Sequence, residues 1–315
     1  MAEGKNLLGE NKNKSGAYEY RVIAIVVTHN RLEKVKLCIE AVLKQTFPVR
    51  KILLVDTNSD DGTGAYLKKL SSENEKMEGI YVKKNIGGAG GFHLGIRYAV
   101  ARYGGDVWLM DDDVIPSEDA LEQLIHAGRI LGDTFGFLAS RVKWTDGSDC
   151  KMNRPLLDKS AGMGTNGTIL PVKKATFVSM LIQAQVVRQV GLPMKEFFIW
   201  GDDQEYSYRI HLRYPCYLVK TSEVIHCMEQ NIPSNIAIDS DDRICRYRYM
   251  YRNEFYISRK KGFFSVLYYL YRVIRDIFRI VIRSRDHKLK RLRAVLCGVI
   301  EGSTFHPSVE YIWQE

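Results

Sequence analysis

The sequence of 315 residues predicts an α/β fold built on a mostly parallel sheet. Three observations support this prediction. Apolar, β-branched runs alternate with segments of helical spacing, which is typical of parallel strands joined by crossover helices. Four polar clusters follow the first four strands, where the carboxyl ends of parallel strands form a ligand crevice. Beyond about residue 239 the alternation gives way to basic, aromatic helical segments.

The individual elements follow from local patterns. Short apolar runs bounded by polar or turn residues predict strands at 22–27, 51–56, 80–82, 106–110, 135–142, 177–182 and 217–220. Spacing of apolar residues by three and four predicts helices at 32–45, after 63, at 87–103 and at 203–214. We therefore expect three segments: a polar N-terminal segment at 1–20, an α/β domain at 21–238 and a helical region at 239–315.

Composition limits the kinds of partner. The formal net charge of +9 and the pI near 9.1 indicate an anionic partner, such as a nucleotide, a nucleic acid or an acidic membrane surface. Six scattered cysteines without a Cys-x-x-Cys pair predict reduced thiols rather than a zinc or redox site. We expect neither a signal peptide nor a spanning helix, since no apolar run is long enough.

Three consecutive aspartates, Asp111 to Asp113, close the fourth predicted strand. Neighbouring carboxylates repel one another, and a chain tolerates that repulsion where a cation holds them together. In an extended segment Asp111 and Asp113 would point the same way, which suits Mg²⁺ or Mn²⁺ with positions left open for phosphate. The alternative is a solvated acidic turn in which Asp113 or Ser117 caps the next helix.

The glycine-rich segment 87–91 also has two interpretations. It is not a dinucleotide-binding loop, which would need Gly-x-Gly-x-x-Gly directly after the first strand, and the chain has no Gly-Lys-Ser/Thr of a P-loop. Its glycines would either let backbone N–H groups approach an anion at a helix start, or let the helix pack closely on the sheet.

A second acidic cluster, Asp202 and Asp203, follows an aromatic run at a predicted helix start. One interpretation is helix capping with a hydrophobic staple. The other is a general base for group transfer to a hydroxyl, with aromatic faces for a sugar ring. His226 follows an apolar run and is either a core histidine or a third metal ligand beside the aspartates.

In this order the motifs resemble those of inverting glycosyltransferases of family 2, which have the GT-A nucleotide-diphospho-sugar transferase fold with a Rossmann-like sheet. The resemblance covers about residues 20–230 and lies in segments 26–31, 55–63, 85–92, 111–113 and 200–206. Segments 85–92 and 200–206 are most similar to bacterial galactofuranosyltransferases. The chain departs from the pattern at His29, where tyrosine is usual, and at Gly201, which leaves the register of the acidic pair open by one residue.

The resemblance implies roles for the matched positions. Asp111, Asp113 and His226 would ligate Mn²⁺ or Mg²⁺. Asp203 would be the general base and Asp202 would contact sugar or acceptor, with Asp202 as second choice for the base. The nucleotide and donor sugar would contact Thr28, Asn30, Arg31, Asp56, Asn58, Asn85, Gly87, Gly88, Asp112 and Trp200.

The implied function is inverting, metal-dependent sugar transfer. UDP-galactofuranose is the favoured donor, and the acceptor would be a hydroxyl of a growing bacterial cell-surface glycan or of a lipid-linked acceptor. A rhamnosyltransferase using dTDP-rhamnose is the alternative enzyme. A non-catalytic nucleotide- or glycan-binding subunit of the same fold is the alternative from another class.

The pattern of charged and apolar residues in the C-terminal region predicts the cellular location of the protein. Arg272, Arg275, Arg279 and Arg283 recur at helical spacing among apolar residues, which predicts a basic amphipathic helix lying on an anionic membrane surface. The alternative is a core-packed or dimer helix with a solvated basic edge. No RNA-recognition motif is present, so we expect no nucleic-acid partner. We expect a cytoplasmic protein, peripheral on the inner face of the cell membrane, and the sequence leaves its oligomeric state, acceptor and linkage open.

Overall fold

The computed structural model describes residues 18–161 and 167–312, so most of the predicted N-terminal segment lies outside the described residues. The strands are β1 (Val22–Thr28), β2 (Lys51–Asp56), β3 (Met77–Tyr81), β4 (Asp106–Asp111), β5 (Val114–Pro116), β6 (Phe137–Lys143), β7 (Leu156–Leu157), β8 (Ile169–Lys174), β9 (Met180–Ile182) and β10 (Tyr217–His226). The helices are α1 (Leu32–Leu43), α2 (Thr63–Glu73), α3 (Gly87–Tyr103), α4 (Ala120–Ile130), α5 (Ala184–Val190), α6 (Asp202–His211), α7 (Asp241–Lys261), α8 (Phe263–Arg283) and α9 (Lys288–Thr304).

The strands form one sheet in the order β3-β2-β1-β4-β9-β6-β10-β8-β7, with β5 paired to β10. The first four strands are parallel, as predicted from their alternation with helices. Beyond β4 the sheet is mixed, because β9 runs antiparallel between β4 and β6. The alternation in sequence weakens at the same point, since an antiparallel strand needs no crossover helix.

Helices cover both faces of the sheet, which explains why β1 is buried along its whole length. Val22, Ala24 and Val26 of β1 face a core shared with α1, α2 and α4. Ile23 and Ile25 face the opposite core, which includes residues of α3, α5 and α6. Successive side chains of a strand point to opposite faces, so a continuous apolar run supplies both cores.

The three C-terminal helices enclose a third apolar cluster, centred on Ile244, Tyr251, Tyr269 and Val295. A fourth cluster joins them to the rest of the chain, because Tyr256 of α7 packs with Ala89, Met194 and Phe197. Helix α7 therefore lies directly on the segment that leads into α6. A domain boundary at residue 238 stays a prediction.

Several elements differ in their bounds from the sequence prediction. The third strand is Met77–Tyr81 rather than 80–82, and α6 is Asp202–His211 rather than 203–214. The bounds of β6, β9 and β10 differ as well, and β10 continues six residues beyond the predicted 217–220. The sequence patterns did not predict β5, β7, β8, α4 and α5. The three strands are two to six residues long, too short or too polar for an apolar run to reveal them.

Candidate active site

The candidate site lies at the carboxyl ends of the parallel strands. Thr28, the last residue of β1, is paired in register with Asp56 of β2, and Val27 with Asp111 of β4. Register therefore places polar residues of three neighbouring strands at one edge of the sheet, as the sequence predicts.

Asp111, Asp113 and His226 converge next to this edge. One ligand atom of each lies within 4.8 Å of the others. Asp111 ends β4, whereas Asp113 lies in the turn before β5, so a tight turn and not an extended segment brings the two carboxylates together. His226 comes from the end of β10, which pairs with β5 so that His226 is opposite Val114.

The electrostatics of this cluster are those of a cation site. Burial, with the charge of Asp113, raises the pKa of Asp111 to about 7. Burial would also raise the pKa of Asp113, but its hydrogen bond with His226 and the charge of Arg31 lower that pKa to about 2. Two carboxylates and an imidazole nitrogen fit Mn²⁺ or a related divalent ion, which would relieve the repulsion between the carboxylates.

Asn153 is a residue of this site that the sequence analysis missed. His226 Nδ1 lies 2.8 Å from Asn153 Oδ1, and its Nε2 lies 3.0 Å from Asp113 Oδ1. Burial would lower the pKa of His226, but the Asp113 carboxylate raises it to about 10. When the Nδ1–H of His226 donates to Asn153 Oδ1, Nε2 faces the cluster, an arrangement typical of metal-bound histidines. No sequence signal marks an asparagine 73 residues away.

Asp112 is not one of the three converging residues, but it organises their surroundings. It accepts hydrogen bonds from Thr28 Oγ1 at 2.7 Å and from the Arg31 guanidinium at 3.1 Å. The same guanidinium donates to Asp113 at 2.6 Å. Thr28 and Asp112 are buried, whereas Arg31 is partly exposed and lies between two carboxylates. Arg31 is therefore a cation at the rim of the acidic cluster.

The predicted uridine-binding residues shape one loop after β2. Asp56 Oδ1 accepts from the backbone N–H of Ser59 at 3.0 Å and from its hydroxyl at 2.6 Å. Asn30 Oδ1 accepts from the N–H of Asp60 at 2.8 Å, and Asn58 has a left-handed φ of 68°. Because β1 pairs with β2, these residues lie beside the cluster of Asp111, Asp113 and His226. Their hydrogen bonds fix the backbone of the loop.

The glycine-rich segment packs closely, as its second interpretation predicts. Asn85 Oδ1 accepts from the N–H of Gly87 at 2.7 Å, and Gly87 has a φ of 70°. A side chain at Gly87 would collide with the carbonyl of Phe198, and one at Gly91 would collide with Val27. Gly88 is different, because nothing lies within 4 Å of the position a Cβ would take.

The acidic pair begins α6. Gly201, with a φ of 89°, occupies the capping position without a side-chain cap, so the capping interpretation of Asp202 and Asp203 is wrong. Asp202 is buried; burial and the charges of Asp203 and Asp111 raise its pKa well above the ordinary value. Asp203 is partly exposed, and burial raises its pKa to about 6 against the opposing charge of Lys174.

Trp200 lies two residues before Asp202, separated from it by Gly201, and is partly buried. Its ring meets Tyr247 of α7 edge to face, with centroids 5.1 Å apart, and the Arg243 guanidinium lies 5.7 Å from its centroid. Trp200 therefore packs on α7. The charge of Asp111 acts on Asp202, so the acidic pair lies near the cluster of Asp111, Asp113 and His226 as well as near α7.

The comparisons with known proteins agree with this geometry. Residues 23–134, which contain β1 to β4 and the three aspartates, match the family model "Glycosyl transferase family 2". These residues are a family 2 glycosyltransferase domain. Galactofuranosyltransferase GlfT1 of Mycolicibacterium smegmatis is 26% identical over 200 residues, and that of Mycobacterium tuberculosis H37Rv is 27% identical over 211 residues. Each match covers 60% of this chain and about 65% of the relative's length.

Solved structures confirm the fold. A mannosyltransferase of Pyrobaculum calidifontis, in complex with GDP-Man and Mn²⁺, superposes with a TM-score of 0.57 at 16% identity, covering 91% of this chain and 76% of that one. GalNAc-T7 with UDP, GalNAc and Mn²⁺ has a TM-score of 0.55 at 16% identity, covering 75% of this chain and 50% of that one. The architecture is the GT-A fold predicted from the motifs.

Proposed function

We propose that this chain transfers a sugar from a nucleotide diphosphate donor to a hydroxyl of a glycan, using a divalent ion held by Asp111, Asp113 and His226. The observation that carries the proposal is the convergence of these ligands within 4.8 Å, with buried Asp202 of α6 close enough to interact electrostatically with Asp111. The family 2 domain and two structural neighbours named as Mn²⁺ complexes support the same chemistry.

In the proposed reaction the acceptor oxygen attacks the anomeric carbon as the bond from that carbon to the diphosphate oxygen breaks. Asp203 accepts the hydroxyl proton, and attack opposite the leaving group inverts the configuration. When bound, the divalent ion would supply Lewis-acid stabilisation for the leaving diphosphate. Arg31, at the rim of the cluster, would add a second positive charge there.

Asp203 is the preferred base because of its environment. Its carboxyl is partly exposed, where an acceptor can reach it, and its pKa of about 6 leaves it ionised at neutral pH. Burial and two neighbouring carboxylates favour the protonated form of Asp202, which therefore suits a hydrogen bond to sugar or acceptor. This division of roles supports Asp203 rather than Asp202 as the base.

For the donor we propose UDP-galactofuranose. The support is the name of the mycobacterial relatives, together with the segments at 85–92 and 200–206. The acceptor would be a cell-surface glycan or a lipid-linked precursor of one. A panel that includes UDP-galactofuranose, UDP-galactopyranose and dTDP-rhamnose tests this, since turnover of dTDP-rhamnose alone would make the chain a rhamnosyltransferase.

Two variants separate metal binding from proton transfer. Asp113→Ala should abolish Mn²⁺-dependent UDP binding, whereas Asp203→Asn should keep that binding and lower kcat by at least about a hundredfold. Asp149→Asn, a carboxylate outside the cluster that pairs with Arg141, is the matched control. Unchanged UDP affinity in Asp113→Ala would contradict the metal assignment. Donor binding without product in the wild type would instead favour the non-catalytic subunit.

A second proposal concerns location: α8 attaches the protein to an anionic membrane surface on the cytoplasmic side. Buried residues Tyr269, Val273, Asp276 and Ile280 recur every three or four positions and define the face that packs inward. The opposite face is apolar and exposed, with Phe264 at 84% of its full exposure. Its other exposed members are Phe263, Leu267, Leu270, Tyr271, Ile274, Phe278, Val281 and Ile282.

The charges around this face favour lipid over a second copy of the chain. Arg275 and Arg279 lie along one edge of α8, exposed Arg283 ends the helix, and exposed Arg285 and Lys288 follow it. In a symmetric dimer with antiparallel α8 helices these like charges would meet, whereas anionic lipid head groups would neutralise them. No helix among the described residues is long and apolar enough to cross a bilayer. In-plane binding is the mode that an apolar face with a basic edge fits.

Vesicle sedimentation tests this attachment. Replacing Phe264, Ile274 and Phe278 together by serine should abolish binding to vesicles containing about 30% phosphatidylglycerol, and wild type should bind neutral vesicles weakly. The matched control replaces Leu212, Ile238 and Ile130, which are exposed elsewhere, by serine. If the α8 variant still binds vesicles, or changes only a monomer–dimer equilibrium, the membrane proposal fails.

A further inference from the structure

The segment that leads into the acidic pair has an unusual backbone. Phe198 and Trp200 have left-handed φ values of 64° and 63°, and Gly201 has 89°. A left-handed conformation costs a non-glycine residue about 1–2 kcal/mol, so it persists only where the surroundings hold it. The direction in which Asp202 and Asp203 enter the site therefore depends on what holds residues 197–201.

Four successive carbonyl groups of this segment accept hydrogen bonds from outside it. The side-chain Nδ2 of Asn253 lies 2.9 Å from the carbonyl oxygen of Phe197, 3.2 Å from that of Ile199 and 2.8 Å from that of Trp200. The remaining carbonyl, of Phe198, accepts from the backbone N–H of Ala89 at 3.1 Å. Two hydrogens of one amide thus serve three carbonyls, one bond being shared.

Asn253 lies on α7 and is completely buried. Arg252 Nε donates to Asn253 Oδ1 at 3.0 Å, which orients the amide so that its NH₂ group faces the three carbonyls. The reversed amide would direct an oxygen at three oxygens and is excluded by repulsion. Arg252 also donates to the carbonyls of Glu196 at 2.6 Å and Phe197 at 3.1 Å, so both residues bind the same segment.

We propose that Asn253 is a positioning residue that sets the place of the Asp202 and Asp203 carboxylates, an inference that rests on the proposed function. Its amide binds the carbonyls of three of the five residues before Asp202, in a segment with left-handed residues that lies opposite the glycine-rich start of α3. Loss of this amide would leave the carbonyls of Ile199 and Trp200 without this donor, whereas that of Phe197 would keep Arg252, and would free the segment to relax. A general base displaced by about 1 Å from its acceptor loses roughly a hundredfold in rate.

The test compares Asn253→Ala with Tyr269→Phe. The second variant also removes a buried hydrogen bond of α7, from the Tyr269 hydroxyl to the Tyr251 carbonyl at 3.0 Å, without touching residues 197–201. Asn253→Ala should lower kcat by about 10- to 100-fold and leave Mn²⁺-dependent UDP affinity within about twofold. Hydrogen–deuterium exchange of a peptide spanning residues 195–205 should become faster. Tyr269→Phe should change neither kcat nor that peptide's exchange.

Each outcome decides one question. A kcat within about twofold of wild type in folded Asn253→Ala overturns the positioning role while the proposed function stands. An equal loss of kcat in Tyr269→Phe would reduce Asn253 to general stability and also overturns it. If the wild type turns over no donor, the proposed function fails, and exchange of the peptide still reports on Asn253.

If Asn253→Ala does not fold, Arg252→Lys removes the donor that orients the amide. A wild-type kcat and exchange rate there overturn the proposal.

Discussion

His226 can offer its Nε2 lone pair to a cation only while the ring proton stays on Nδ1, and Asn153 makes that arrangement favourable. The amide oxygen lies 2.8 Å from Nδ1, on the side of the ring opposite the two aspartates. Each of two site residues is positioned by a hydrogen bond to a supporting residue: Arg31 by Asp112 and His226 by Asn153. Each supporting residue is buried, so its hydrogen bonds are stronger than they would be in water.

Asn153→Ala should therefore weaken Mn²⁺ affinity by about 10- to 100-fold, as loss of a supporting residue does at other metal sites. Calorimetric titration of Mn²⁺ in the presence of UDP measures this change. Asn231→Ala, which removes an exposed asparagine bonded to Lys151, is the control. An unaltered Mn²⁺ affinity in Asn153→Ala would mean that His226 is not a ligand.

The pH dependence of turnover should report Asp203. Burial raises its pKa above the ordinary value, to about 6, and a general base works only when ionised. Therefore kcat should rise as the pH increases through about 6 and level off above that value. Below it, kcat should fall about tenfold for each pH unit. The measurement uses saturating donor and Mn²⁺ at each pH, so that metal binding does not limit the rate. A profile that is flat from pH 5 to 8 would assign the base elsewhere.

Among the elements, the start of α3 and the segment before α6 depend on each other. Gly87 has no side chain because the Phe198 carbonyl occupies that space, and the N–H of Ala89 binds the same carbonyl. Glycine at this position therefore has a steric cause, since a φ of 70° also disfavours other residues. In the sequence the glycine-rich motif suggests phosphate binding. In the structure it packs against the segment that carries the acidic pair and fixes its position.

Gly87→Ala should lower the free energy of unfolding by at least about 1 kcal/mol and reduce kcat, because the added methyl displaces Phe198. Denaturant unfolding and steady-state kinetics measure the two effects. Gly88→Ala provides the comparison, since its methyl meets open space and should leave stability within about 0.5 kcal/mol. Loss of activity in that variant with full stability would indicate direct contact with the donor. Wild-type stability in Gly87→Ala would contradict the steric account.

At the scale of the whole molecule, the C-terminal helices have two faces with different uses. Helix α7 presents Asn253, Arg252 and Tyr256 to the segment before α6, and α8 presents an apolar surface outward. The change in composition after residue 239 predicts a separate helical region. The contacts of α7 predict instead that this region is needed for catalysis as well as for attachment.

A chain ending at residue 238 should therefore lack turnover even with a soluble acceptor. Without α7, Phe197 and Met194 would no longer pack against Tyr256, and residues 197–201 would lose the hydrogen bonds from Asn253. The serine variant of the α8 face should keep that turnover and lose only vesicle binding. Activity assays of both proteins without lipid make the comparison. A fully active truncated chain would show that the helices serve attachment alone.

The parallel half of the sheet, and the residues proposed as metal ligands, could be derived from the sequence alone. Continuous β-branched runs have no other stable place than between two layers of helices, and polar residues that follow parallel strands necessarily share one edge. Asp111, Asp113 and His226 are identifiable because carboxylates and an imidazole at strand ends are chemically distinctive, whatever surrounds them.

The residues that support this chemistry become visible in the folded chain and not in the sequence. Asn153 lies 73 positions from His226, and Asn253 lies more than 50 positions from the carbonyls that it binds. A neutral amide leaves no pattern in sequence, because its role comes from hydrogen bonds to backbone groups that folding brings together. The turn that unites Asp111 with Asp113, and the left-handed approach to Asp202, likewise depend on long-range contacts rather than on local propensity.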